Sequence, residues 1–230
     1  MGIMLESALL LGIDTCGPSG SVALGRLAGR DLEILGQMEL EGRSYSATLV
    51  AAVGELLAQS GIELRELGGI VAVNGPGSFT GVRVGLSAVK GLAEGAQIPV
   101  VAVSRLEVLA RKAGVPSAAL DAHRNEVFLR VEAVGMKPRE LLAGTRELAA
   151  MDPLPVRVTV CDDAAAALLE AAWPGAQMVR ISAPLAADAL RMGEARLLAG
   201  AAVDLALLDG HYLRRSDAEI FGEAAGLRGA

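Results

Sequence analysis

One pattern occurs twice in this chain and restricts its fold more than any other feature. An apolar strand runs into an aspartate, a short polar turn follows, and a second strand leads away. In the first instance Ala8 to Thr15 carries Asp14, Gly17 to Gly20 makes the turn, and Ser21 to Leu24 follows. In the second, Ser117 to Leu120 reaches Asp121, Ala122 to Asn125 turns, and Glu126 to Val134 leads out. Strands of this kind alternating with segments of helical period predict an α/β fold. The repetition predicts two halves with a similar start, dividing near Ser104 into residues 1–104 and 105–230.

The remaining elements fall between these repeats. Leu32 to Met38 reads as a strand. Ser44 to Ser60 has helical spacing, with Leu49, Val53, Leu56 and Leu57 on one face and Gly61 as its stop. Gly69 to Asn74 is a short apolar strand before a helix from about Val82 to Ala96. Pro99 to Val103 then reads as a strand and Leu106 to Ala113 as a helix. In the second half, Val156 to Cys161 and Met178 to Ile181 read as strands, and Asp163 to Ala172 and Ala186 to Leu198 as helices. Leu141 to Pro155 fits strand, helix or loop.

Composition narrows the function classes. The hydrophobic fraction is 52%, but no stretch reaches the ~20 unbroken apolar residues of a membrane span. The first residues lack the basic region of a signal peptide, and Cys16 and Cys161 read as separate buried thiols, so the expected location is the cytoplasm. Lys and Arg number 21 against 27 Asp and Glu, which argues against a basic face that binds nucleic acid directly. The six Phe, Tyr and Trp residues also supply little for stacking bases.

Gly75-Pro76-Gly77-Ser78-Phe79-Thr80-Gly81 joins a strand to a helix. Backbone amides in that setting can hold an anion; the alternative is a tight turn with Ser78 or Thr80 as the helix cap. Neither a P-loop nor a dinucleotide fingerprint is present. The next helix carries Ser87, Gly91 and Gly95 at spacing i, i+4, i+8, and the preceding one carries Ala47, Ala51, Gly54 and Ala58. Such stripes suit either a seam between subunits or close packing within one domain. Asp14 reads as a metal- or water-orienting carboxylate or as a turn residue. Asp121 occupies the matching place, but its turn has no glycine, so a paired phosphate site is incomplete. His123 and His211 are the only histidines, in no metal-ligand spacing, so no metal or other cofactor is expected.

The run Asn74 to Gly85, with Arg83 inside it, resembles the hallmark of the TsaB (YeaZ) family. Leu11 to Thr15, Val101 to Glu107, Ala119 to Ala122 with Glu126 to Phe128, and Tyr212-Leu213-Arg214 add to the resemblance. It implies the two-lobed duplicated fold of actin, Hsp70 and sugar kinases (the ASKHA type). It also implies a non-catalytic partner subunit in threonylcarbamoyl transfer to the adenosine beside the anticodon of tRNAs. The expected partners are a TsaD-type transferase, bound through the two striped helices, and a TsaE-type ATPase, with tRNA met only indirectly. A homodimer through the same helices is compatible with this. The alternative is an ATP-dependent kinase or metallo-glycopeptidase relative of the same fold. The chain departs from the family at Arg43 to Ser46, where relatives carry a histidine, and at Asp209 to His211, where they carry a proline.

Overall fold

The computed structural model describes residues 7–29, 31–41, 44–132 and 137–214. It contains two five-stranded sheets. The first is built from β1 (Ser7–Asp14), β2 (Ser19–Ala28), β3 (Asp31–Glu41), β4 (Leu67–Val73) and β5 (Val100–Val103). The second uses β6 (Ala118–Asp121), β7 (Glu126–Val131), β8 (Arg139–Gly144), β9 (Arg157–Val160) and β10 (Gln177–Arg180). Their orders are β3-β2-β1-β4-β5 and β8-β7-β6-β9-β10, the same arrangement built twice. In each sheet the first three strands form an antiparallel meander, and the last two join parallel to the first. β1 and β4 read as almost continuous apolar runs because both of their faces are covered.

Helices complete each repeat: α1 (Tyr45–Gln59), α2 (Phe79–Ala96) and α3 (Arg105–Ala113), then α4 (Thr145–Ala149), α5 (Asp163–Ala172) and α6 (Ala186–Leu198). Leu141 to Pro155, open in the sequence, supplies most of β8 and all of α4. Without that edge strand the second meander would be one strand short. β7 ends at Val131, and positions 133 and 134 of the expected strand lie outside the described residues. α2 starts at Phe79 rather than Val82, because the Ser78 hydroxyl accepts from the Gly81 amide at 3.2 Å and caps the helix three residues earlier.

The third helix of each half crosses over. α3 packs on strands of the second sheet, and α6 packs on strands of the first. Close approach explains Gly12: a Cβ there would stand 2.7 Å from the Ala186 carbonyl oxygen and 2.8 Å from the Leu190 side chain. The first sheet thus lies between α1/α2 and α6 in one continuous core. The second lies between α4/α5, around the fully buried Trp173, and α3. Arg196 of α6 holds Glu107 of α3 through two bonds of 2.7 Å, and Lys112 meets Asp188 at 2.9 Å, so the crossing helices are tied by charge as well as packing. This is the two-lobed duplicated arrangement of the ASKHA type.

Candidate functional site

Two places gather the residues singled out in the sequence: the junction where the lobes meet and the outer face of α1 and α2. At the junction β1 ends on Asp14, which is 2% exposed. Its Oδ1 accepts from the Cys16 amide at 2.8 Å, the turn geometry expected of an aspartate at a strand end. Its Oδ2 accepts from Nε of Arg105, 5% exposed, at 3.2 Å. Burial opposes the guanidinium charge, but Asp14 and the nearby thiols outweigh it and hold the Arg105 pKa above its ordinary value. Burial, reinforced by Asp14, pushes the Cys16 thiol well up. Tyr45, whose hydroxyl donates to the Gly17 carbonyl at 2.9 Å, is pushed up to about 12, chiefly by burial. The second lobe repeats the turn: Asp121 Oδ1 accepts from the His123 amide at 2.8 Å. There the chain turns through three consecutive left-handed residues, His123, Arg124 and Asn125, with φ of 59°, 56° and 58°.

The glycine-rich turn sits directly on this aspartate turn. The Ser78 amide donates to the Cys16 carbonyl at 2.8 Å, and the Arg105 amide donates to the Gly75 carbonyl at 2.7 Å. Gly77, Gly81 and Gly85 are there for close approach. A Cβ at any of them would collide with the Cys16 carbonyl, the Thr15 carbonyl or the Thr15 hydroxyl. The same hydroxyl donates to the Gly81 carbonyl at 2.7 Å.

No local pattern predicts that the last described residues return to this turn. The His211 amide donates to the Asn74 carbonyl at 2.7 Å, and Tyr212 packs on Phe79 with ring centroids 4.9 Å apart. Arg83 covers the Phe79 ring at 3.9 Å. Glu140 of β8, also missed, gathers three donors: Ser104 at 2.6 Å, Arg130 at 3.0 Å and His211 at 2.8 Å. Arg214 pairs with Glu126. Two motifs far apart in sequence therefore close around one cleft of about 1000 Å³, walled by both lobes.

Burial alone would raise the Glu140 pKa, but its bonds from His211, Ser104 and Arg130 outweigh this and hold it below the ordinary value. Its stabilising contribution is therefore complete above the ordinary carboxylate pKa of about 4.3 and is lost as pH falls through the lower folded value. Wild type is expected to exceed Glu140→Gln in stability at pH 7, with the gap closing below about pH 4. Fluorescence of the single tryptophan, Trp173, 1% exposed, follows both titrations. A gap independent of pH would contradict the assignment.

The second place is a surface. Ala47, Ala51, Gly54 and Ala58 on α1, and Ser87, Gly91 and Gly95 on α2, are all exposed. Val50, beside them, is 57% exposed. A Cβ at Gly54, Gly91 or Gly95 would meet nothing within 4 Å.

Comparison with known proteins agrees with this fold and these motifs. Residues 38–143 match the family model described as TsaD, tRNA N6-adenosine threonylcarbamoyltransferase. Over 130 residues the chain is 37% identical to the tRNA threonylcarbamoyladenosine biosynthesis protein TsaB of Haemophilus influenzae, covering 54% of this chain and 53% of that one. The Escherichia coli protein of the same name is 37% identical over 125 residues, 52% of each chain. A solved Pseudomonas aeruginosa structure, described as an uncharacterized protein similar to the peptidase YeaZ, superposes with a TM-score of 0.72 at 27% identity. That superposition covers 90% of this chain and 100% of the other. In sequence and in fold the chain is similar to the TsaB (YeaZ) proteins. Its sequence match spans about half the length of the curated TsaB relatives. The Pseudomonas superposition reaches beyond that half into both lobes, as expected if the duplicated architecture persists where sequence similarity has faded.

Proposed function

We propose that this chain is a partner subunit in the making of threonylcarbamoyladenosine in tRNA. In this reading it performs no chemistry itself and binds a TsaD-type transferase through the outer face of α1 and α2. A TsaE-type ATPase joins the same assembly, and tRNA is reached through the complex rather than by this chain. The same face would serve a homodimer of the isolated protein.

The observation that carries this reading is the position of three helical glycines. Glycine in a helix interior costs about 1 kcal/mol relative to alanine. At Gly77, Gly81 and Gly85 the absence of a side chain is required by contacts within the chain; at Gly54, Gly91 and Gly95 no such contact exists among the described residues. Small exposed residues that no internal contact requires suit a surface on which another backbone must come close. Both histidines are engaged by carboxylates, His123 by Asp121 and His211 by Glu140. Among the described residues no three His, Cys, Asp or Glu side chains form a metal-holding group, so nothing specific favours the metallo-glycopeptidase alternative.

Two measurements test the reading. Gly54→Ala combined with Gly91→Ala should stabilise the isolated chain by about 1–2 kcal/mol, visible in urea unfolding. A loss of stability would mean that these glycines serve packing within the chain. Amide hydrogen exchange with a TsaD-type subunit present should slow over residues 45–59 and 79–96. Protection confined to the second lobe would overturn the proposed surface.

A further inference from the structure

An arginine that commits only part of its guanidinium to an ion pair lines the inter-lobe cleft. Arg105 is 5% exposed, yet only its Nε has an acceptor among the described residues, Oδ2 of Asp14 at 3.2 Å. An arginine offers five N–H donors in a fixed fork, and the terminal nitrogens of Arg105 are not among the described buried atoms that lack a partner, so the rest of the fork is open to the cleft. Arg105 lines the cleft, with Nη2 packed against Gly17 so closely that any side chain at Gly17 would collide with it.

A second set of unused donors opens beside it. The Ser78 amide binds the Cys16 carbonyl, which places the start of α2 next to the Cys16–Gly17 peptide on which the guanidinium rests. Ser78 caps only the Gly81 amide with its side chain, and the Phe79 and Thr80 amides have no acceptor among the described residues. α2 is 18 residues long, so its N-terminus carries the partial positive charge of a full helix. The acidic residues of the cleft are already engaged: Asp121 by His123, and Asp162 by the Ala165 and Asp121 amides. Phe79, Leu120, Phe128 and Leu213 provide apolar wall.

We propose that the cleft binds a small organic oxyanion. Its carboxylate or phosphate is held by the Arg105 fork and the first amides of α2, and its apolar body lies against Phe128 and Leu120. A polyphosphate chain fits less well, because the matching turn of the second lobe presents His123, Arg124 and Asn125 where bare backbone would be needed. The site is distinct from the α1 and α2 surface and stands or falls independently of the partner reading.

Sodium acetate and inorganic phosphate, titrated separately at constant ionic strength into the 15N-labelled chain, test this. The expected result is saturable shifts of the Gly17, Phe79 and Thr80 amides and of the Arg105 Nε–H signal, with the two anions competing. The tighter anion identifies the headgroup. Arg105→Lys keeps a charge for Asp14 but loses the fork, and should weaken binding roughly ten- to a hundredfold. Should that variant fail to fold, the wild-type shift map decides alone. Shifts that never saturate, or that scatter outside the cleft, overturn the proposal. Undiminished binding in a folded Arg105→Lys variant overturns it too.

Discussion

Arg105→Ala is expected to lose about 3–5 kcal/mol of folding stability, the usual cost of removing one partner from a buried ion pair. The loss is large because of what stays behind. Asp14 remains 2% exposed at the end of a central strand, with one oxygen on the Cys16 amide and the other facing an empty space. For a domain of this size that corresponds to a fall in Tm of roughly 6–20 °C. Adding Asp14→Asn should restore part of it, because the amide oxygen can still accept from the Cys16 amide while the stranded charge is gone. A loss below about 1 kcal/mol would mean that the pair behaves as a solvated one.

Gly91→Leu is expected to behave in the opposite way, leaving the fold intact and removing association. The position is exposed, a Cβ there meets nothing within 4 Å among the described residues, and leucine is a better helix former than glycine. Circular dichroism and urea unfolding of the isolated variant should match or exceed wild type. Against a partner helix in close contact, however, a leucine would hold the two backbones apart by the width of its side chain. Unchanged folding with lost binding would separate a surface role from a structural one, which a variant at Gly81 cannot do. There a Cβ collides with the Thr15 carbonyl, and folding and binding would fail together.

Much of the architecture was legible in the chain because its signals are local. Asp14 and Asp121 each end an apolar strand before a polar turn, and that repetition alone announced two halves of one design. The helical period of residues 44–60 and 82–96, and the small residues along one face of each, were equally readable. Three things were not. β8 was hidden because Arg139–Gly144 is a short edge strand without clear alternation. The exchange of α3 and α6 between lobes depends on tertiary packing, to which each helix's own periodicity is indifferent. The Asp14–Arg105 and Glu140–His211 pairs join residues 91 and 71 positions apart, and no spacing rule reaches that far. Reading Asp14 as a metal- or water-orienting carboxylate overlooked this partner. In the fold both oxygens of Asp14 are occupied by the protein itself.

We proposed above that a TsaD-type transferase binds the outer face of α1 and α2. The most direct test is sedimentation velocity of the chain alone and mixed with the matching TsaD-type subunit, using wild type and Gly91→Leu. A faster-sedimenting mixed species is expected with wild type and none with the variant, whose own unfolding curve is undiminished. A mixed species that persists with Gly91→Leu, or wild-type chains that never form one, would contradict it.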